Sequence, residues 1–160
     1  MPVGSGWEVP NEIRDRVEFH WFHVPTNGAL VLCILSAAPV WYVGHFEKGR
    51  MRQCLGKGCE MCSKGLGTQL RYVVSCIDIS TRQVGVLEFG QSVAMLIKQW
   101  STGFGYMRGM IIEISRAHKN KHSRMEVNLI KEHPPAFCLS TEPLDLEEVL
   151  ERTWDRQQVS

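Results

Sequence analysis

Four side chains that favour soft or borderline metal ions fall within the stretch HFEKGRMRQCLGKGCEMC: His45, Cys54, Cys59 and Cys62. Nothing else in the chain constrains its fold so tightly, because a donor set closed around one ion dictates where four points of the backbone must meet. Cys59 and Cys62 form a C-x-x-C pair, the spacing at which a tight turn aims two thiolates at a single metal while backbone amides stabilise the sulfur charge. Cys54 is the third donor, and the intervening glycines let the backbone fold back. His45 follows the apolar run Val40, Trp41, Tyr42, Val43, which places its imidazole at a strand end facing the loop. It is the predicted fourth ligand; the alternatives are that Cys76 or His23 closes the site, or that His45 is an ordinary strand-end residue and no metal binds. The set predicts one structural zinc ion (Zn2+) per chain. A redox role for the C-x-x-C pair is disfavoured, because Lys64, Gly65, Leu66 and Gly67 read as loop rather than as a helix opening after a strand.

The 160 residues suffice for one domain with a core. With 44% hydrophobic and 22% charged residues, the composition is that of a globular protein rather than a disordered or membrane-embedded one. The most apolar run, from Ala29 to Val43, is too short to span a bilayer and contains Pro39. The segment from Met1 to Pro10 carries Glu8 and no apolar core of an export signal, which predicts a cytoplasmic protein, in the host cell if the source is viral. Cys33, Cys76 and Cys138 stand alone in apolar surroundings, as in a reducing compartment with one metal site rather than a disulfide framework.

A net charge of +1 conceals an uneven distribution. Lys48, Arg50, Arg52, Lys57, Lys64 and Arg71 share their stretch with a single acid, Glu60. Arg108, Arg116, Lys119, Lys121 and Arg124 share theirs only with Glu113. Glu142, Asp145, Glu147, Glu148, Glu151 and Asp155 then outweigh Arg152 and Arg156 near the C-terminus. A basic body and an acidic end result.

Alternation of apolar and polar residues predicts strands over 14–24, 30–35, 40–46, 68–79, 84–89, 109–116 and 123–130. Ser80–Gln83 and AHKNKHS are the turns of two hairpins. Val93, Leu96, Ile97 and Trp100 repeat at helical spacing between Gly90 and Gly103, and Leu146, Val149, Leu150, Thr153 and Trp154 line one face of an acidic C-terminal helix. The predicted fold is mainly β: an OB-fold-like small barrel with an inserted zinc-binding loop, one internal helix and a C-terminal helix. Residues 1–135 form the predicted single-stranded nucleic-acid-binding domain, with the zinc loop at 45–67, and 136–160 the acidic helix.

Single strands are held by cations that meet phosphates and by aromatic rings on which bases stack. Arg50, Arg52, Lys57, Arg71, Arg116 and Arg124 are the predicted phosphate contacts, and Tyr42, Phe46, Tyr72 and Tyr106 the predicted stacking rings; Trp41 and Trp100 are assigned to the core. Stacking alone does not separate DNA from RNA, so an RNA-binding module remains open. So does a zinc-stabilised interaction or assembly subunit of a nucleoprotein complex. A complete, thiolate-rich ligand set leaves no open metal position and predicts no enzyme.

The order His45, Cys54, Cys59, Cys62 between strands, the following RYVVSCIDI and GVLEFG hairpin, the helix after it and the closing GMIIEISRAHKNKHSRMEVNLI resemble the phage T4-type single-stranded DNA-binding, helix-destabilising family. The resemblance covers roughly residues 15–155, with shorter ligand spacings and no counterpart in MPVGSGWEVPNE to that family's basic N-terminal segment. It implies a zinc-containing OB-fold, single-stranded DNA as partner, a role in replication or recombination, and replication or recombination proteins recruited through the acidic C-terminal helix.

Overall fold

The computed structural model describes residues 19–120 and 123–159. In chain order its elements are β1 (Ala29–Ile34), β2 (Val40–Glu47), β3 (Arg50–Gln53), α1 (Glu60–Ser63), β4 (Gln69–Asp78), β5 (Val84–Phe89), α2 (Gln91–Phe104), β6 (Ile111–Arg116), β7 (Met125–Ile130), α3 (Ala136–Ser140) and α4 (Leu146–Val159). All strand pairings are antiparallel, in the order β3-β2-β4-β1-β6-β7, and β5 pairs with β4.

β4 is the hub because it is long enough to serve three neighbours. Its first half pairs with β2, from Val40↔Val73 to Gly44↔Gln69, and its last residues pair with β1, from Leu32↔Asp78 to Ile34↔Cys76. β5 runs along its other edge, from Tyr72↔Phe89 to Ile77↔Val84. The chain breaks between β1 and β2 around Ser36, ahead of Pro39, and buried hydrogen bonds repair the ladder there. Ser75 N–H donates to Ser36 Oγ at 2.7 Å, and Leu35 N–H donates to the Ser75 carbonyl at 2.8 Å.

The path β5-β4-β1-β6-β7, with α2 connecting β5 to β6, is that of a five-stranded, partly open Greek-key barrel. Among the described residues β5 and β7 share no ladder, so the barrel is open, and the β2–β3 hairpin with α1 is an insertion between β1 and β4. Alternation sends Leu32, Ile34, Val74, Leu87, Phe89, Ile112 and Ile114 to one core, against which α2 lays Val93 and Ile97. The opposite face of β4 and β5 presents Val73 and Val86, joined by Tyr42 of β2, and α4 covers them with Leu146, Val149 and Leu150. Its apolar stripe is thus spent on its own sheet. Trp154 meets the Tyr42 ring edge to face at 5.2 Å.

Several sequence expectations are corrected. Of the predicted strand over 14–24, residues 14–18 lie outside the described residues, and the rest forms only a bridge, Trp21↔Val86. Trp41, assigned to the core, is 63% exposed, because β2 continues past the edge of the main core. β3 and α1 occupy stretches read as loop, and the segment 136–160, read as one acidic helix, is two helices, α3 and α4, separated by residues 141–145. The internal helix passes through Gly103 and stops at Gly105, whose φ of 80° ends it with an N–H bond to the Ser101 carbonyl at 2.8 Å. Lys121 of the second basic cluster lies outside the described residues. No helix among the described residues is long and apolar enough to cross a membrane.

Packing of α4 predicts a clear contrast between its faces. Leu150→Ala removes a buried side chain and is expected to cost about 2–4 kcal/mol, whereas Glu147→Ala on the exposed face changes stability by no more than about 0.5 kcal/mol. Denaturant unfolding of the two variants checks this.

Candidate metal centre

β2 and β3 form a tight hairpin, with His45 opposite Arg52 and Glu47 opposite Arg50. Lys48 and Gly49 turn the chain with φ of 52° and 79°, the left-handed pair that matches the twist of two-residue hairpins. The pairing continues one step further, as Cys54 N–H donates to the Val43 carbonyl at 2.8 Å. Cys54 therefore leaves the hairpin beside His45. Gly56 and Gly58, at φ of 75° and 84°, then reverse the chain into α1, a single turn with Cys59 at its start and Cys62 within it. Lys64 ties this turn to the hairpin, 3.6 Å from Glu47 and 3.5 Å from Glu60.

These elements bring the predicted ligands together. One donor atom from each of His45, Cys54, Cys59 and Cys62 lies within 4.8 Å of the others. Cys54 Sγ is 3.6 Å from Cys62 Sγ, and His45 Nε2 is 3.7 Å from Cys59 Sγ and 3.4 Å from Cys62 Sγ. A tetrahedral ion with bonds of about 2.3 Å to sulfur and about 2.0 Å to nitrogen separates its ligands by about 3.8 Å (S to S) and about 3.5 Å (S to N). The three distances between donors are close to those of a tetrahedral shell, which the four donors could form. The three cysteines form no disulfide and are free thiols. His23 and Cys76, the alternatives for the fourth position, are outside the cluster.

The surroundings orient each donor. His45 is fully buried, and its Nδ1 lies 3.0 Å from the Gly67 carbonyl, to which it donates in the tautomer that leaves Nε2 for a metal. Contact with the Cys54 thiol raises the imidazole pKa above its ordinary value. Backbone N–H groups of Cys62 and Leu55 aimed at Cys59 pull its thiol pKa down to about 6. Hydrogen bonding with the Cys54 thiol holds the proton on Cys62, whose pKa rises to about 11. Away from the cluster, burial pushes Cys33 up to about 12 and also raises Cys76 and Cys138, which makes all three poor nucleophiles.

The predicted nucleic-acid residues divide. Phe46 and Tyr106 are exposed, by 55% and 57%, and Arg50 and Lys57 are exposed on the hairpin and metal loop. Arg52 is half-buried, with Nε lacking a hydrogen-bond partner. Tyr72 is half-buried and stacks on Phe89 at 6.1 Å. Tyr42 is buried, its hydroxyl donating to Glu88, and burial with that carboxylate raises its pKa. No face of its ring is free for a base. Arg71 lies 3.3 Å from the same Glu88, so its charge is already matched. Arg116 donates to the Ser123 carbonyl at 3.0 Å, and Arg124 lies 3.8 Å from Glu126. These last two sit on the β6–β7 hairpin, at the other end of the strand order from Arg50 and Arg52. Sequence reasoning missed the exposed Trp41, and it missed β3, for which the Glu47-Lys48-Gly49-Arg50 turn was the available signal. No protein-family model, curated protein or solved structure matches the chain.

A bound metal is expected to shield three thiols. After chelation, Cys54, Cys59 and Cys62 should become reactive towards a thiol reagent while Cys33, Cys76 and Cys138 stay protected. Metal affinity should fall as pH is lowered, because Cys62 must lose a proton at any pH below about 11. The fall should steepen below about 6, where Cys59 is protonated too. Competition against a chromophoric chelator across this range measures both slopes.

Proposed function

We propose that the chain is a non-catalytic single-stranded DNA-binding protein of replication or recombination, in which one structural Zn2+ ion braces a basic hairpin. One observation carries this reading: Phe46, 55% exposed, stands on a metal-held hairpin beside the exposed Lys48 and Arg50. No acid among the described residues lies within ion-pair distance of Lys48, Arg50 or Lys57. A ring and unpaired cations on a rigid ribbon are what a single strand needs, one for a base and the others for phosphates.

A neighbouring cleft of 440 Å³ is bordered by Lys48, Arg52, Lys64 and Trp154 and also by Glu47 and Glu60, which pair with Lys64. What it offers a phosphate is Lys48 and the Nε of Arg52, which has no hydrogen-bond partner. The thiolate-rich donor set favours zinc over harder cations, and four protein ligands leave the ion no open position for a substrate. The metal's contribution is therefore to the shape of the hairpin.

Titration of the zinc-loaded protein with dT oligomers, rU oligomers and duplex DNA is expected to show preference for dT. Log affinity should fall with log salt by about 0.7 per phosphate neutralised, and Arg50→Ala should flatten that slope by about one such unit. Phe46→Ala should weaken binding by about 1–3 kcal/mol. Preference for duplex or rU, or variants indistinguishable from wild type, would contradict the reading.

A further inference from the structure

A second cleft lies away from the metal centre, between α2 and the ends of β4 and β5. Its volume is 520 Å³, and Tyr72, Phe89, Met95 and Met107 form its apolar walls while Gln91 and Lys98 supply polar groups. Both the size and the proportion of apolar to polar lining are those of a small-molecule site. The cross-strand register extends this wall. Trp41 on β2 faces Tyr72 on β4, and Tyr72 faces Phe89 on β5, so three aromatic residues form a row across one face of the sheet. The row runs from Trp41, 63% exposed, to Phe89, 1% exposed. Planar walls with two thioethers select a planar aromatic guest.

Charge narrows the class further. Lys98 is the ionisable group of fixed charge on the lining, and no acid borders the cleft. α2 itself carries no Asp or Glu between Gln91 and Phe104. No described acid pairs with Lys98, which is exposed. Met95, 71% exposed, stands at the same mouth.

We infer that this cleft binds a nucleotide unit, with its base against Tyr72 and the methionines and its phosphate on Lys98. The site is separate from the metal-held hairpin, and it rests on the single-strand reading only for whether the nucleotide is free or belongs to a bound strand. Gln91 is placed to hydrogen-bond the base edge or the sugar.

Calorimetry of the zinc-loaded full chain with dTMP, dAMP, thymidine and decanoate tests this. dTMP and dAMP are expected to bind, and thymidine about tenfold more weakly because it lacks the charge that Lys98 meets. Lys98→Glu should weaken dTMP binding by about tenfold and Met95→Ala should weaken dTMP and thymidine alike; both side chains are exposed, so both variants keep the fold. Displacement of a dT oligomer by dTMP assigns the site to the strand, and simultaneous binding assigns it to free nucleotide. No nucleotide binding at millimolar concentration, binding of decanoate alone, or affinities unchanged in both variants would overturn the inference. Phe46→Ala keeps the two questions apart: the cleft predicts that it retains dTMP binding whatever happens to the oligomer.

Discussion

Three sulfur atoms and one imidazole nitrogen held within 4.8 Å of one another are the constraint on which the inserted lobe depends. The segment from Cys54 to Gly67 has little apolar material to bury, and Leu55 is 59% exposed. Chain entropy of about 1–2 kcal/mol per ordered residue therefore needs another opponent. A metal held by these four donors would supply on the order of 10 kcal/mol. His45 connects this local order to the sheet, because it is at once a residue of β2, fully buried, and hydrogen-bonded to the Gly67 carbonyl just before β4. The loop is thus closed at both ends by one side chain.

From that point outward, the sheet explains which surfaces remain for binding. β4 pairs with three strands, so one face of its middle residues packs under α2 and the other under α4. The Tyr42–Glu88–Arg71 group links β2, β5 and β4 and absorbs a ring and a cation that the sequence offers as DNA contacts. Among the surfaces left open are the hairpin tip with Phe46, Lys48 and Arg50, the exposed Lys57 and Tyr106, and Trp41. α4 does not compete with these surfaces for apolar contacts, since its own stripe already lies on Tyr42, Val73 and Val86.

Much of this was legible in the sequence. The clustering of His45, Cys54, Cys59 and Cys62 was readable because a metal shell would need those atoms, and the apolar run before His45 places it at the loop. Strand pairs 69–78 with 84–89 and 111–116 with 125–130 were readable because each is joined by a short polar turn and alternates in hydrophobicity. Residue burial was less legible, because alternation says which residues share a face but not what covers it. Trp41 and Tyr42 are adjacent and both aromatic, yet α4, more than a hundred positions along the chain, buries only Tyr42. Partners of charged residues were hidden for the same reason, since Arg71 meets Glu88 only after β4 and β5 pair.

X-ray absorption at the zinc edge tests the central claim most directly, because it reads the donor atoms themselves. The arrangement of His45, Cys54, Cys59 and Cys62 predicts a four-coordinate shell of three sulfurs at about 2.3 Å and one nitrogen at about 2.0 Å. His45→Cys should change that to four sulfurs. A shell of oxygen and nitrogen donors, or a sulfur count unaffected by Cys59→Ser, would contradict the account.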